Sequence, residues 1–591
     1  MPRKPKITLD VTPKRPRLAW QGMERREVAQ PAPTRAIEVV RPGGPAKLNA
    51  RAGDATPWPG NRLIWTSDNL LALQTLLSEK DPSTGLARTR GQVDLVYIDP
   101  PFMVNADFRA EGAVEIGDRQ SLPIDLLAYK DTWPQGLDDF LTMLRDRLEL
   151  LKQLLAPTGS IYLHLDWHAV HYAKVLMDEV FGYENFRNEI VWQRTSSHND
   201  PGKFGVIHDT LLYYAASSQA PYWGAPTLPA PPEYFAAHDF EVDENGRRYR
   251  SRDLTARSHG GDSGQFEWRG VRPPAGRMWA YSSVTKLEKL LAEKRLKFTR
   301  NGFPRLKLYL DGDVTQPVQS IWADDAAVNS GAAERLGFPT QKPLSLLERI
   351  ITASCPSGGL VLDCFAGSGT TAEAAERLGR NWIAIDNSRF AVHLAQKRLV
   401  ELHGQSRPPV QAKFKYVECD KCKKISRKPK PQKSPGIFNV RPFTVETVGA
   451  SQAEAIMPIV LDCTVSGRTV TVKLAHCEVD VESFLASQRP VEQTKEEAWQ
   501  KWLGQAGSWQ SFVDCWAVDW DYPSLRAPDG TPIFQSDWQS LRGRKAKGKG
   551  NSPVFVARFK YPRPGQYCVA AKMTDVFGND GMATVQIAVK V

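Results

Sequence analysis

An apolar run, Val93, Leu95, Val96, Tyr97 and Ile98, ends at an acid followed by two prolines and an aromatic, Asp99-Pro100-Pro101-Phe102. A carboxylate at the end of a buried strand is a hydrogen-bond acceptor held at a sheet edge, and the prolines fix the backbone around it. Preorganised acceptors act most strongly where charge develops during a reaction. The aromatic ring beside them is a stacking surface for a flat ligand. A second stretch, VLDCFAGSGTT, sets Gly367 and Gly369 between a predicted strand and a predicted helix. Missing side chains there let a ligand reach the backbone and the helix N-terminus. The spacing is too short for the dinucleotide fingerprint G-x-G-x-x-G, and no Gly-Lys-Ser/Thr follows, which disfavours a phosphate-cradling loop. Asp363 precedes the glycines and Asp386 ends the next strand, at the separation where an acid meets ribose hydroxyls. Two carboxylates around a glycine turn suit an adenosyl ligand with an amino group and free hydroxyls.

Both stretches need a scaffold, and the flanking periodicity predicts one. Asp68 stands as an N-cap before Leu70, Leu73, Leu76 and Leu77, the stripe of an amphipathic helix that precedes the strand Val93–Ile98. Leu137, Phe140, Leu141, Leu144, Leu148, Leu151 and Leu155 recur at three and four, which predicts a long helix ending before Pro157 and Gly159. A strand over Ser160–Asp166, a helix over His168–Phe181 and a strand over Glu189–Trp192 follow. After an irregular stretch come a helix over Leu344–Ser354, a strand over Gly359–Asp363, a helix in GTTAEAAERLG and a strand in NWIAID. This alternation predicts an α/β fold with a parallel sheet covered by helices on both faces.

At 591 residues the chain exceeds what one hydrophobic core usually supports. Hydrophobic residues at 41% and a mean hydropathy of −0.40 describe an ordinary globular chain, with no apolar run long enough to span a bilayer. The first residues are basic and proline-rich without an apolar segment, so they do not read as a secretory signal and the cytoplasm is the expected compartment. Eight thinly spread cysteines fit a reducing environment rather than a disulfide framework. A net charge of +11 points to a polyanionic partner. Expected boundaries are a disordered basic arm over 1–55, one half of the α/β domain over 56–214, an inserted irregular region over 215–330 and the second half over 331–410. A linker over 411–436 and a separable β-rich domain over 437–591 complete the list; removing the latter is expected to leave a folded core.

Together, DPPF at Asp99–Phe102 and FAGSGTT at Phe365–Thr371 resemble the S-adenosylmethionine-dependent DNA amino-methyltransferases of the adenine-N6 type. Their order, catalytic loop before cofactor loop, is similar to the permuted β class, which includes type III modification subunits and orphan enzymes. TSDNLLAL, GSIYLHLDWHAVHYAKVLMDEVFG, HDTLLYY and FPTQKPLSLLERII add to the resemblance, which covers about residues 60 to 405. It implies a doubly wound, Rossmann-like methyltransferase sheet with an inserted target-recognition region. Asp99, Pro100, Pro101 and Phe102 would be catalytic. Asp68, Lys342, Asp363, Phe365, Ala366, Gly367, Ser368, Gly369, Thr370 and Asp386 would hold S-adenosylmethionine, with no metal. In that reading Asp68 meets the cofactor adenine, Asp386 the ribose and Asp363 the methionine amino group, while Thr340–Pro343 close the methionine end. Cys364 departs from the proline common before the glycine loop. The implied partner is double-stranded DNA; a restriction or helicase subunit and a second copy of the chain are the protein partners left open, and no membrane is involved. Asp at the first catalytic position is similar to adenine-N6 enzymes, where cytosine-N4 enzymes usually carry Ser. The alternatives are therefore a cytosine-N4 enzyme or a partner-dependent DNA-binding subunit of a restriction complex. No Pro-Cys pair is present, which excludes cytosine-C5 chemistry.

Other motifs carry less. Cys419 and Cys422 form a lone C-x-x-C without a second pair at ligand spacing. His164 and His208 lie in apolar strands and read as core or near-core histidines. LRGRKAKGKG, Leu541–Gly550, is a basic loop suited to phosphate contacts. WAVDWDY and TDVFGNDG resemble an immunoglobulin-like or polycystic-kidney-type sandwich, expected to dock or position DNA.

Overall fold

A computed structural model describes most residues from Leu18 to Lys590. The longer stretches outside that description are 1–17, 25–29, 43–59, 197–201, 230–239, 258–263, 310–314, 406–436, 449–456, 479–508 and 543–552. The expected linker over 411–436, which includes the Cys419/Cys422 pair, and the basic loop beyond Arg542 lie outside the described residues. The described chain divides into two compact units, the second running from Ala225 to Val318.

The first unit is a mixed α/β structure built on one large sheet. Its strands are β1 (Thr34–Val40), β2 (Asn61–Thr66), β3 (Val93–Ile98), β6 (Leu155–Leu165), β7 (Phe186–Gln193), β8 (His208–Ala215), β9 (Ile321–Trp322), β10 (Leu360–Asp363), β11 (Asn381–Asp386), β12 (Phe443–Val448) and β13 (Phe534–Ser536). The eleven strands lie in the order β9-β7-β8-β6-β3-β10-β11-β2-β12-β1-β13. The centre, β6-β3-β10-β11-β2, is parallel. β3 reads VDLVYI with all but Asp94 buried, as a strand covered on both faces must. A hairpin of β4 (Ala106–Ile116) and β5 (Gln120–Asp131) follows β3 directly.

Helices α1 (Asn69–Ser78), α2 (Leu137–Leu154) and α3 (Val170–Phe181) pack in succession, as do α4 (Leu344–Ser354), α5 (Thr370–Arg377) and α6 (Arg389–Leu402). Asp68 caps α1 by accepting from Leu70 N. The stripe Phe140, Leu141, Leu144, Leu148 and Leu151 of α2 enters the main core with Leu73, Leu76, Val96 and Ile161.

Four expectations are corrected. The arm over 1–55 is not wholly without structure: Thr34–Val40 is a strand paired with β12 and β13, because Ala36, Val39 and Val40 bury their side chains. Proline and arginine content averaged over 55 residues hid that short apolar strand. The sheet is mixed rather than parallel throughout, since β8 runs antiparallel to β6 and β7, and β1 to β12. Residues 225–318 are not irregular. They hold a four-stranded sheet, the helix Val284–Ala292 and their own core around Leu254, Trp268, Trp279 and Leu287.

The fourth correction concerns residue 437 as the start of a separable domain. Phe443–Val448, the strand β12, lies between β2 and β1 in the main sheet. The buried Arg62 of β2 pairs with Glu446 at 2.7 Å and with Glu79 at 2.7 Å, so charges on both sides of that boundary share one guanidinium. Farther on, a three-stranded and a four-stranded sheet share a core of Trp516, Trp520, Val470, Val569 and Met573. Asp514 of that region accepts from His393 and Lys397 of α6 at 2.7 and 2.8 Å.

Ending the chain at Gly436 strips β12 and β13 from β1 and bares the edge of β2, leaving an unpaired apolar strand open to aggregation. The truncated protein is expected to lose its cooperative thermal transition, followed by circular dichroism. A cooperative melt near that of the full chain would show the sheet to be complete without it.

Candidate active site

The five central parallel strands bring their carboxyl ends to one sheet edge, and an aspartate closes or follows each: Asp166 after β6, Asp99 after β3, Asp363 on β10, Asp386 on β11 and Asp68 after β2. A cavity of about 650 Å³ opens there. It is lined by Asp68, by Asp99, Pro100, Pro101 and Phe102, by Lys342, by Asp363, Phe365, Ala366, Gly367, Ser368 and Thr370, and by Asp386. Thirteen of the fourteen residues expected from the sequence thus meet in one place; Gly369 does not line the cavity.

Asp99 presents its two oxygens differently. Oδ2 pairs with Lys342 Nζ, while Oδ1 is buried and has no hydrogen-bond partner among the described residues. A buried acceptor left unmade is costly, and such an exception marks a place meant for another donor. Phe102 lies 5.8 Å from the His164 ring, which is fully buried. His164 Nδ1 is 2.9 Å from the Tyr97 hydroxyl and Nε2 is 3.3 Å from Asp209. His164 is thus a satisfied core histidine that also backs Phe102, whereas His208 is exposed, contrary to expectation.

The turn after Phe102 carries Met103 at φ 65° and Asn105 at φ 55°. Non-glycine residues persist in that region when their surroundings hold them. Here Asp131, fully buried, accepts from Met103 N at 2.9 Å, Val104 N at 3.0 Å and Trp133 Nε1 at 2.8 Å. Asp131 was missed by sequence reasoning, because the backbone amides it holds lie 28 and 27 residues before it.

In the glycine loop, Gly367 has φ 49° and donates its N–H to Asp386 Oδ2 at 2.7 Å. Asp363 accepts from Phe365 N at 3.0 Å and from Thr371 Oγ1 at 2.6 Å. Both carboxylates therefore brace the loop. Burial pushes the Asp363 carboxyl up to about 7; its two hydrogen bonds oppose the shift, and Asp99 and Asp386 add to it. Burial also raises Asp386. A β-carbon on Gly369, φ 76°, would lie 2.6 Å from Ala395 Cβ, so this glycine serves the close approach of α5 to α6. At the other end, Arg147 Nη2 donates to Asp68 at 2.6 Å and its Nε to Asn69 at 2.7 Å, and Asn69 donates to Cys364 O. The wall opposite is also absent from the sequence reading: Phe108 stacks on Tyr129 at 4.7 Å, Tyr129 on Phe338 at 6.4 Å, and the Tyr129 and Thr340 hydroxyls lie 3.0 Å apart.

A pocket at the carboxyl ends of an α/β sheet, beside a glycine loop, defines an enzyme class that binds nucleotide-like ligands. A family model described as DNA methylase, with a label covering N6 and N4 enzymes, matches residues 93–397, and the chain belongs to that family. It is 31% identical over 341 residues to the Type II methyltransferase M.EcaI of Enterobacter cloacae, covering 57% of this chain and 69% of that protein. It is 31% identical over 344 residues to the Type III restriction-modification enzyme StyLTI Mod subunit of Salmonella typhimurium, covering 54% of this chain and spanning half that relative's length. Among solved structures, the M1.HpyAVI–SAM complex matches 57% of this chain and 98% of that chain at 15% identity, with a TM-score of 0.29.

The raised Asp363 carboxyl predicts a pH signature. A carboxyl that holds its proton more tightly when folded adds stability at low pH, and that contribution falls as pH rises from about 4 to about 7. Asp363→Asn is expected to flatten the decline of the melting temperature between those pH values relative to the parent chain. Parallel curves would contradict the burial assigned to this carboxyl. In a second test, Gly369→Ala is expected to lower the melting temperature through overlap with Ala395, while a Gly379→Ala control, with nothing within 4 Å of its β-carbon, separates that overlap from the cost of positive φ alone. Equal losses at both positions would remove the packing role.

Proposed function

We propose that the chain is a site-specific DNA methyltransferase that transfers a methyl group from S-adenosylmethionine to the N6 amine of an adenine extruded from duplex DNA, within a restriction-modification system. The observation that carries this reading is the buried, unpartnered Oδ1 of Asp99 beside the Phe102 ring. An adenine amine is a poor nucleophile because its lone pair is delocalised into the ring. Asp99 Oδ1 accepts one N–H and the Pro100 carbonyl the other, which draws the nitrogen toward tetrahedral geometry and frees the pair. Pro100 and Pro101 hold both acceptors in place. Extrusion costs a few kcal/mol, and stacking on Phe102, backed by His164, offsets about 1–3 kcal/mol of it.

The residues fit the cofactor. Asp363 and Asp386 stand beside a loop that a β-carbon at Gly367 would close against Phe338, at 3.1 Å. Asp363 would take the ammonium group, Asp386 the ribose hydroxyls and Asp68 the adenine. Phe365, Ala366, Gly367, Ser368 and Thr370 would line the ligand, with Gly369 supporting the loop from behind and Lys342 at the methionine end. S-adenosylmethionine, the methyl donor of this family, supplies an electrophilic methyl group when bound. A cationic ligand also relieves the crowding of Asp99, Asp363 and Asp386.

Asp99 precedes the glycine loop in the chain, an order that supports the permuted class and a doubly wound sheet. The compact unit over 225–318 suits target recognition, since base edges must be read by an element separate from the catalytic loop. The two sheets beyond residue 459 support a sandwich. The net charge of +11 favours duplex DNA as partner. Likeness to a Mod subunit favours a restriction subunit as a second partner, with homodimerisation and cytoplasmic placement consistent with such a system. No helix among the described residues is long and apolar enough to cross a membrane.

Asp99→Asn is expected to retain S-adenosylmethionine binding in calorimetry while losing methyl transfer to DNA by at least about a hundredfold, the scale of losing a preorganised acceptor. Gly367→Val is expected to lose binding itself. Near-normal transfer by the first variant would remove Asp99 from the mechanism, and unchanged binding by the second would remove the glycine loop from the cofactor site.

A further inference from the structure

Lys342 stands over the ring on which the target base has to stack. Its Nζ pairs with Asp99 Oδ2, lies 5.1 Å over the Phe102 ring and donates to Thr340 O at 3.3 Å. The two side chains are 9% and 17% exposed, so the pair is largely desolvated. Breaking a buried pair without a replacement is strongly destabilising. An incoming base is neutral and offers the ammonium nothing, so Lys342 stays on Asp99 Oδ2, over the face of Phe102, until it finds another anion.

The cavity shows where that anion comes from. Arg147 is committed to Asp68 and Asn69 at the far end, and Lys130 sits exposed on the β5 hairpin. Among the described residues, Lys342 is the lining cation paired with Asp99, and a ligand ammonium drawn to Asp363 also brings its own carboxylate. The segment that carries it is held in a strained turn. Thr340 is β-branched yet sits at φ 56°, a strained conformation. Thr370 Oγ1, at the start of α5, donates to Lys342 O, which ties that segment to the glycine loop.

We propose that Lys342 is an exchangeable cation that is held on Asp99 Oδ2 in the free protein and passes to the methionine carboxylate when cofactor binds, clearing the face of Phe102 for the target base while Asp99 Oδ1 stays open to its amine. The inference rests on the cofactor reading above and goes beyond it: base entry is conditional on cofactor, and Lys342 is a cofactor-binding residue whose place in the free protein is set by Asp99.

The test needs no recognition sequence. S-adenosylhomocysteine carries the carboxylate but lacks the sulfonium charge, so its binding reports the exchange without the attraction of Asp99 for the sulfur. Calorimetry on the full chain, Asp99→Asn, Lys342→Met and the double variant forms a cycle. Asp99→Asn is expected to tighten binding by at least about twofold when Lys342 is present, the lower end of coupling between contacting residues, and not in the Lys342→Met background. Equal effects in both backgrounds would overturn the exchange. No binding by the unaltered chain would instead sink the cofactor reading. Each variant is first melted, and Asp99→Ser or Lys342→Gln replaces one that does not unfold cooperatively.

Discussion

Carboxylates crowded along one sheet edge are the constraint on which the site depends. Parallel strands must all end on the same side, and here each of five neighbours ends at or beside an aspartate. Like charges removed from water cannot all remain ionised without compensation. Each acid therefore has its own partner: Asp68 has Arg147, Asp99 has Lys342, and Asp166 has His168 at 2.8 Å. Asp363 has Thr371 and a backbone amide, and Asp386 has the amides of Gly367 and Ser388. Those partners do more than neutralise. They fold the glycine loop, orient α1 against it and keep one oxygen of Asp99 open. The same crowding favours a cationic ligand.

The scaffold behind that edge is held by hydrophobic burial across both sheet faces, and its limits lie where a linear reading of domains does not put them. β12 and β1, just over four hundred residues apart in number, pair at the far side of β2. Lys572 reaches Glu38 at 2.7 Å, joining the last strands to the first described one. The C-terminal region is thus part of how the main sheet closes its edge, an arrangement that protects β2 from the pairing an open edge invites.

Most of this edge was legible in the sequence because its residues obey local rules. Val93–Ile98 is recognisable as a buried strand, Asp68 as a cap, and Gly367 and Gly369 as a turn, from period and residue type alone. Helix α4 starts and ends where its apolar spacing predicts. What was not legible depends on distant partners. Asp131 matters because it holds the backbone after Phe102, and nothing in DTW says so. Tyr129, Phe108 and Phe338 form a wall through contacts between separate elements. Lys342 was read as closing the methionine end; its pairing with Asp99 arises from packing. Short strands such as Thr34–Val40 were lost within a proline-rich average.

The most direct test of the central claim is single-molecule sequencing of DNA from a methylation-deficient bacterial host that expresses the full chain, with Asp99→Ala as control. The account predicts N6-methyladenine at one discrete motif, absent from the control. N4-methylcytosine would contradict the assignment of the target base to Asp99, and unmodified DNA would contradict an enzyme that acts on its own.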